Sequence, residues 1–224
     1  LSILASGNSS AETLAKLLAS DPGSEDRQLA IVDTQGEVSA HTGTQCYDWA
    51  GHKTGIHFSC QGNMLTGPET LESMAHTFQH THGELAVRLV AALSAGDEHG
   101  GDKRGKQSAA VLVVRPNGGI GGDTDRYMDL RVDDDPEPVQ RLQRLVHTHH
   151  TIFGATHSEG KIKIDELTVT KIQRLLTKDG YYSGTVHGHW NPESKEAFST
   201  FLRHINLDQH WNIVRHSDML DQVI

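Results

Sequence analysis

Apolar residues recur along the chain with two different periods, which predict a mixture of helices and strands. Between residues 9 and 22, three leucines fall on one helical face: Leu14, Leu17 and Leu18. Ser9 and Glu12 have the spacing of a capping box at the start of this helix. Helical patterns also cover residues 68–95, with a break at His82–Gly83, and residues 136–150, with proline in the first turn.

Patterns typical of strands lie between these helices. Residues 27–43 predict a β-hairpin with Gln35–Gly36 at its turn, and residues 55–60 predict one further strand. The near-continuous apolar run at residues 108–116 predicts a strand buried on both faces. Residues 125–136 alternate as a strand does. This order of elements predicts an α+β layered fold, because a doubly wound parallel sheet alternates strands and helices more strictly.

The character of the sequence changes after Phe153–Gly154, which predicts a domain boundary there. Residues 155–224 contain half of the Phe, Trp and Tyr residues of the chain. Their pattern predicts two helices around a loop rich in glycine and aromatic residues. The predicted domains are therefore residues 1–154 and residues 155–224, and the second is small and mainly α-helical.

Composition and charge limit the classes of function. The formal net charge of −9 argues against a nucleic-acid-binding protein, which would show a basic patch or stripe. No run of about 18 apolar residues exists, so no membrane-spanning helix is predicted. Two cysteines in 224 residues do not make a disulfide scaffold. The compartment stays unknown, with the cytoplasm as the default, and the oligomeric state, a homo-oligomer included, stays open.

The segment GGDKRGKQS, residues 100–108, nearly has the spacing of a phosphate-binding P-loop. Gln107 stands where such a loop needs a Ser or Thr for magnesium, and the segment lies between a predicted helix and a strand. The simplest alternative is a charged loop that leads into a core strand. A second alternative is a substrate-binding loop, because Asp102, Arg104 and Gln107 stand beside several glycines.

Two groups of histidines have residue types that suit a metal ion or thiol chemistry. His41, Cys46 and His52 lie close together in sequence, but their spacing matches no compact zinc signature. Cys46 is equally well explained as a small buried side chain. His147 and His150 are one helical turn apart, which suits either a shared metal or a solvated helix end. No metal or cofactor is predicted.

The stretch HFSCQGNML passes from an apolar strand through Gly62 and Asn63 towards a helix opened by Pro68 and Glu69. Glycine lets a backbone approach a ligand closely, and the asparagine amide is a suitable donor to an oxyanion. The same two residues also suit an ordinary turn, so the pattern alone leaves both interpretations open.

Four ordered segments resemble one bacterial family, the domain-of-unknown-function 1028 family, placed in the N-terminal-nucleophile (Ntn) hydrolase superfamily. They are RQLAIVDTQGEVSAHTG, QGNMLTGPE, GGDKRGKQSAA and DLRVDDDPEPV, and they span most of residues 1–154. The resemblance implies an αββα sandwich. It also implies cleavage of an amide bond by an N-terminal Thr, Ser or Cys, whose own α-amine, with a pKa of ~7.7–8.0, acts as base.

Members of this family begin with two strands that carry the candidate nucleophile, whereas this chain begins after them with Leu1. We therefore expect an incomplete sheet and no hydrolysis by these 224 residues alone. In this picture Gly62 and Asn63 contribute to an oxyanion site for a small peptide or acyl-amide. The expected substrate-binding residues are Gln61, Asp102, Arg104 and Gln107, together with the weaker candidates His41 and His52.

Residues 155–224 resemble a peptidoglycan-binding domain in the segments IQRLLTKDGYYSGTVHGHW and ESKEAFSTFL. The resemblance implies a small helical bundle in which Tyr181, Tyr182 and Trp190 stack on glycan. Core packing of a small bundle is the alternative use for these rings. The rival hypothesis to the enzyme is accordingly a non-catalytic protein that binds peptidoglycan in the cell envelope.

Overall fold

The computed structural model describes residues 1–119, 122–153, 161–208, 211 and 219–221. It divides into two compact units, Leu1–Val146 and His147–Ile224. The described residues form a mixed α/β structure with seven α-helices and four two-stranded antiparallel sheets. The boundary expected at residues 154/155 lies outside the described residues and stays a prediction.

The first unit contains most of the helices and strands. Its elements are, in chain order, Ser2–Ala5 (α1), Ser10–Ser20 (α2), Gln28–Val32 (β1), Val38–Thr42 (β2), Gly51–Gly55 (β3), Phe58–Gly62 (β4), Glu69–His80 (α3), Leu85–Glu98 (α4), Ala109–Val114 (β5), Arg126–Val132 (β6) and Pro138–Phe153 (α5), which continues into the second unit. The strands pair as β1–β2, β3–β4 and β5–β6.

The start of α2 and the first hairpin confirm the sequence pattern. The Ser9 hydroxyl accepts a hydrogen bond from the Glu12 N–H at 3.2 Å, and the Ser9 N–H donates to the Glu12 carboxylate at 2.9 Å. Gly36 has φ of 80° at the hairpin turn, which a glycine adopts without strain. The Asp33 carboxylate accepts from the Ser10 N–H at 3.0 Å and so ties the helix to the turn.

The single strand expected at residues 55–60 is in fact a second hairpin, formed by β3 and β4. Sequence periodicity missed β3 because most of its side chains are polar and exposed. The Gln28 side chain joins the two hairpins, since its amide nitrogen donates to the carbonyl oxygens of Gly51 at 2.8 Å and Gly62 at 2.9 Å. Strand β1 contacts β4, and β2 contacts β3.

Helices α3 and α4 confirm the predicted break, with Gly83 at φ of 108° between them. One face of β4 packs against this pair through Phe58 and Cys60, which are 8% exposed. The Arg88 guanidinium lies over the Phe78 ring, 4.1 Å from its centroid, and donates to the Phe78 carbonyl at 3.1 Å. The helix pair therefore covers the second hairpin as one packed layer.

Strand β5 corrects the expectation of burial on both faces. Val111 and Val113 are buried against α4 and α5, whereas Leu112 is 56% exposed and Val114 is 62% exposed. The physical reason is that β5 pairs only with β6 in a two-stranded sheet, and no described element covers the other face. A continuous apolar run therefore belongs here to a strand with one buried face.

The second unit contains the two helices that the pattern predicts. Its elements are Lys161–Lys163 (β7), Glu166–Lys178 (α6), Pro192–His204 (α7) and Met219–Asp221 (β8), and β7 pairs with β8. Asp165 and Asn191 cap the two helices, accepting from the Thr168 and Ser194 N–H groups at 2.8 Å each. The core between the helices includes Leu176, Phe198 and Leu202.

A buried glutamine on α6 holds the irregular loop between α6 and α7. Gln173 is 0% exposed. Its amide nitrogen donates to the His189 carbonyl at 3.1 Å and to the Ser194 hydroxyl at 2.7 Å. Its oxygen accepts from the N–H groups of His187 at 3.1 Å and Gly188 at 3.0 Å. All four hydrogen-bonding positions of this amide are therefore satisfied.

We expect Gln173→Leu to lower the free energy of unfolding by about 2 kcal/mol or more, because it leaves several buried polar groups of the loop without a partner. Urea unfolding followed by tryptophan fluorescence measures this, since Trp190 and Trp211 both pack edge-on against Phe198 in this core. The control is Gln79→Leu on the exposed side of α3. Equal unfolding midpoints for the two variants would contradict the role of Gln173.

Candidate functional site

A cleft of about 730 Å³ in the first unit is the main candidate site. Its walls come from α3, α4, the loop at residues 100–108 and the first turn of α5. Apolar side chains form one part of the lining: Leu65, Met74, Leu93 and Val139. Charged side chains form another part: Asp97, Asp102, Arg104, Lys106 and Asp134. Such a combination of apolar wall and a few polar groups is typical of small-molecule sites.

Backbone pairing fixes the loop that carries most of these charges. The Thr66 N–H donates to the Gly101 carbonyl at 3.0 Å, and the Lys103 N–H donates to the Met64 carbonyl at 2.8 Å. Gly100 and Gly101 have φ of 104° and 54°, which allow the chain to leave α4 and turn into this pairing. The loop is therefore attached to the QGNML stretch by main-chain bonds.

The opposite edge of the same stretch is paired as well. The Met64 N–H donates to the Tyr47 carbonyl at 3.1 Å, and the Leu65 N–H donates to the Trp49 carbonyl at 3.0 Å. Residues 64–66 thus lie as a short central segment between residues 47–49 and residues 101–103. This arrangement explains how a loop 35 residues further along the chain reaches the same place.

Of the two predicted oxyanion residues, neither lines the cleft. Asn63 is exposed, and five residues separate it from Glu69, where α3 begins, so the turn does not lead directly into the helix. A Cβ at Gly62 would lie 2.8 Å from the Leu65 side chain, so close packing accounts for this glycine. The neighbouring Met64 N–H is already bonded to a carbonyl. An oxyanion role for Gly62 and Asn63 stays a prediction.

Asp102 and Arg104 lie together on the cleft and form a two-point ion pair. The Arg104 Nη2 and Nε donate to the two Asp102 oxygens at 2.6 Å and 3.0 Å, and the Arg104 N–H donates to the same carboxylate at 2.8 Å. The Arg104 side chain holds the pKa of Asp102 below its usual value, and Asp102 in turn raises the pKa of Arg104. Both groups are therefore charged at neutral pH.

Lys106 and Gln107 complete the polar side of the cleft. The Lys106 ammonium lies 2.8 Å from the Asp97 carboxylate and 3.5 Å from Glu137, and the hydrogen bond to Asp97 raises the pKa of Lys106. The backbone carbonyl of Gln107 accepts a hydrogen bond from the Asp135 N–H at 2.9 Å. The exposed side chain of Gln107 lines the cleft. The loop lies between α4 and β5, which is not the strand-to-helix position of a P-loop.

His41, His52 and Gln61, which the resemblance also indicated, do not line the cleft. His52 and Gln61 face each other across β3 and β4. The His52 Nδ1 lies 2.9 Å from the Thr42 hydroxyl, and the Gln61 Oε1 accepts from the Ser59 hydroxyl at 2.7 Å. The His41 Nε2 lies 3.0 Å from the Ser24 carbonyl. The three side chains therefore bond to different neighbours rather than converge on one site: His41 to the segment before β1, His52 to strand β2 and Gln61 to its own strand β4.

The described part of the chain contains no group of three His, Cys, Asp or Glu side chains that could hold a metal ion. His41 and His52 have different partners, and the Cys46 thiol, which is only half-buried, lies 3.5 Å from the Arg27 carbonyl. These three residues, which lie close together in sequence, therefore use their polar atoms separately.

The aromatic residues suggested for glycan binding belong to the core of the second unit. Tyr182 is 4% exposed, and its hydroxyl donates to the Thr185 carbonyl at 3.1 Å. Tyr181 and Trp190 are half-buried, and their rings pack edge-on against Phe201 and Phe198. Stacking on a sugar needs an accessible ring face, which Tyr182 lacks. Glycan binding stays a prediction that depends on Tyr181 and Trp190.

Sequence reasoning identified three cleft residues, Asp102, Arg104 and Gln107, and missed its helical walls. Met74, Leu93 and Asp97 lie on α3 and α4, where an apolar helical pattern indicates only a core. The available signal was Asp97, which follows Leu93 by one helical turn and places a carboxylate beside an apolar face. That pattern is too common in surface helices to mark a site by itself.

Residues 1–142 match the family of unknown function DUF1028, and the chain belongs to that family. The crystal structure of protein SPO2555 from Silicibacter pomeroyi, also of DUF1028, is similar, with 30% sequence identity and a TM-score of 0.59. The similarity covers 67% of this chain and 62% of that chain, so this chain spans less than two thirds of that relative. No match was found among curated proteins.

Within the described ranges, no helix has the length and hydropathy needed to cross a membrane.

We expect Arg104→Ala to raise the pKa of Asp102 towards the ordinary value of about 3.9, because its hydrogen bonds stabilise the charged carboxylate. Because the pKa of Asp102 is lowered in the folded protein, the ion pair contributes fully to stability at pH values above the ordinary pKa. This contribution is lost as the pH falls through the lowered pKa. An NMR titration of the aspartate carboxyl carbons measures the shift.

The matched control for this titration is Arg126→Ala, which removes another exposed arginine that pairs with an aspartate, Asp129, at 2.9 Å. This control should leave the titration of Asp102 unchanged. An Asp102 pKa that is the same in the wild type and in Arg104→Ala would show that the ion pair does not form in solution.

Proposed function

We propose that this protein is an amidohydrolase of the Ntn type, and that its cleft binds a small peptide or acyl-amide substrate. The observation that carries the proposal is the cleft itself, in which a fixed, charged loop stands over an apolar wall. An acyl-amide with a polar end has both characters, since its carbon skeleton suits the wall and its polar atoms suit the loop.

The charges of the loop support recognition of such a substrate. Arg104 has five N–H donors in a planar group, and Asp102 accepts from its Nε and from its Nη2. The remaining donors are available to a substrate carboxylate or carbonyl. Asp102 holds the guanidinium in one orientation, which lowers the entropy lost on binding. The Gln107 amide offers a donor and an acceptor for a peptide group.

The order of contacts in the first unit supports the sandwich type of fold. Helix α2 packs on β1 and β2, this hairpin contacts the second hairpin, and the second hairpin packs under α3. Helix, sheet, sheet and helix follow one another in this series, which is the order of layers in an αββα sandwich. Membership of the DUF1028 family leaves the reaction open, so the chemistry rests on this likeness and on the cleft.

Binding and hydrolysis are separable in this proposal, because the walls of the cleft and the nucleophile belong to different parts of the enzyme. Residues 65–139 supply the walls that bind substrate, and an N-terminal Thr, Ser or Cys of the working enzyme supplies the nucleophile and the base. The nucleophile attacks the amide carbonyl while the α-amine takes its proton. The C–N bond then breaks, the amine leaves with that proton, and an acyl-enzyme remains. Water hydrolyses the acyl-enzyme and releases the acid.

The test has two arms on one panel of dipeptides and N-acyl amino acids. Calorimetry on the 224-residue chain measures binding, and release of free amine by the full-length protein measures hydrolysis. We expect Arg104→Ala to weaken binding of carboxylate-bearing ligands about 10-fold or more, because a charge-assisted hydrogen bond is lost.

Arg126→Ala is the control in both arms, because this arginine also pairs with an aspartate but does not line the cleft. Its binding constants should equal those of the wild type. Failure of every compound to release amine would exclude the hydrolase. Equal binding by Arg104→Ala and Arg126→Ala would exclude the charged loop as the substrate site.

A further inference from the structure

A second, apolar cavity of about 230 Å³ adjoins the cleft in the first unit. It lies among β4, β5 and the helix pair α3–α4. Apolar side chains form most of its lining, including Phe58, Phe78, Leu89, Ala92 and Val111. For comparison, an apolar protein cavity of about 150 Å³ is large enough to bind benzene. The space is therefore sufficient for a short hydrocarbon group.

Met74 and Leu93 line both the cleft and this cavity, so the two spaces share a wall. Both side chains are only half-buried. Methionine is unbranched, with three rotatable bonds, and adapts its shape at low cost. A ligand that enters the cleft therefore meets a movable apolar wall with apolar space behind it.

The polar groups around the cavity do not oppose binding of a hydrocarbon group. Cys60 is buried there, and burial raises the pKa of its thiol, which stays neutral and behaves as a small apolar side chain. The Ser59 hydroxyl already donates to the Gln61 side chain at 2.7 Å. Charged side chains lie on the cleft and not on this cavity. The two spaces thus separate polar from apolar binding.

We propose that the two spaces form one site for an amphipathic ligand, an N-acyl amino acid, whose aliphatic chain passes Met74 and Leu93 into the apolar cavity. The polar head stays in the cleft beside Arg104 and Gln107. The identity of the head group rests on the proposed function, whereas the place of the chain rests on the shared wall. The site accordingly selects for acyl groups that are longer than acetyl.

The experiment measures binding of an N-acylglycine series, from acetyl to octanoyl, to the 224-residue chain by calorimetry. Burial of each added CH₂ is worth about 0.8 kcal/mol, so the association constant should rise about fourfold per CH₂ until the cavity is full. Two variants fill the path or the cavity: Met74→Trp at the shared wall and Ala92→Leu inside the cavity. Either one should abolish the rise, and Ala92→Leu, which lies outside the cleft lining, should still bind N-acetylglycine as the wild type does.

Val87→Leu is the matched control, because it adds apolar volume to α4 at a residue that is 39% exposed and lines neither space. Circular dichroism and thermal unfolding establish whether each variant is folded. If one filling variant does not fold, the other filling variant provides the comparison. The inference is overturned if the wild type binds all chain lengths equally, or if a folded filling variant keeps the full rise.

The outcome of this experiment is independent of whether the protein is a hydrolase. A protein that binds longer acyl chains more tightly but releases no amine retains this site and loses the proposed reaction. A protein that cleaves acetyl and octanoyl compounds with the same binding constant retains the reaction and loses this site.

Discussion

The candidate site depends on the pairing of residues 64–66 with main chain on both sides. Residues 47–49 lie along one edge of this segment and residues 101–103 lie along the other. The connection from β4 to α3 and the connection from α4 to β5 are thereby held in one place, although neither is a regular strand. The cleft exists because the charged loop cannot move away from the helices that form its other walls.

Charge in the cleft is organised by short-range pairs rather than by a net excess. Asp102 fixes Arg104 two residues away, and Asp97 holds Lys106 across the loop. Exposed pairs of this kind contribute little to stability, because solvent screens them and side-chain entropy opposes them. Their effect here is orientation, since each cation is presented to the cleft in one direction with some of its donors unused.

Local sequence signals predicted those parts of the fold that local interactions determine. The capping box at Ser9, the hairpin turn at Gly36 and the break at Gly83 each depend on a few neighbouring residues. Strand β3 was missed because its polar side chains carry no periodic signal, and its position is determined by pairing with β4. The burial of β5 was overestimated because a run of valines does not reveal how many layers the surrounding chain provides.

The site was predictable to the same degree. The loop residues Asp102, Arg104 and Gln107 could be selected from sequence because they stand beside several glycines, although an ordinary charged loop has the same pattern. Met74 and Leu93 are ordinary helix residues, and only tertiary packing brings them to the same wall. His41 and His52 are close in sequence, but they bond to different groups, His41 to Ser24 and His52 to Thr42.

The saturated amide of Gln173 has a consequence for how the second unit is ordered. The loop that Gln173 holds contains no helix or strand, so its conformation depends on hydrogen bonds from a residue of α6. Opening of that helix removes the partner of His187, Gly188 and His189 in a single step. The irregular loop and the regular helix therefore form one cooperative element, and the aromatic residues on either side of the loop keep their places only while α6 is intact.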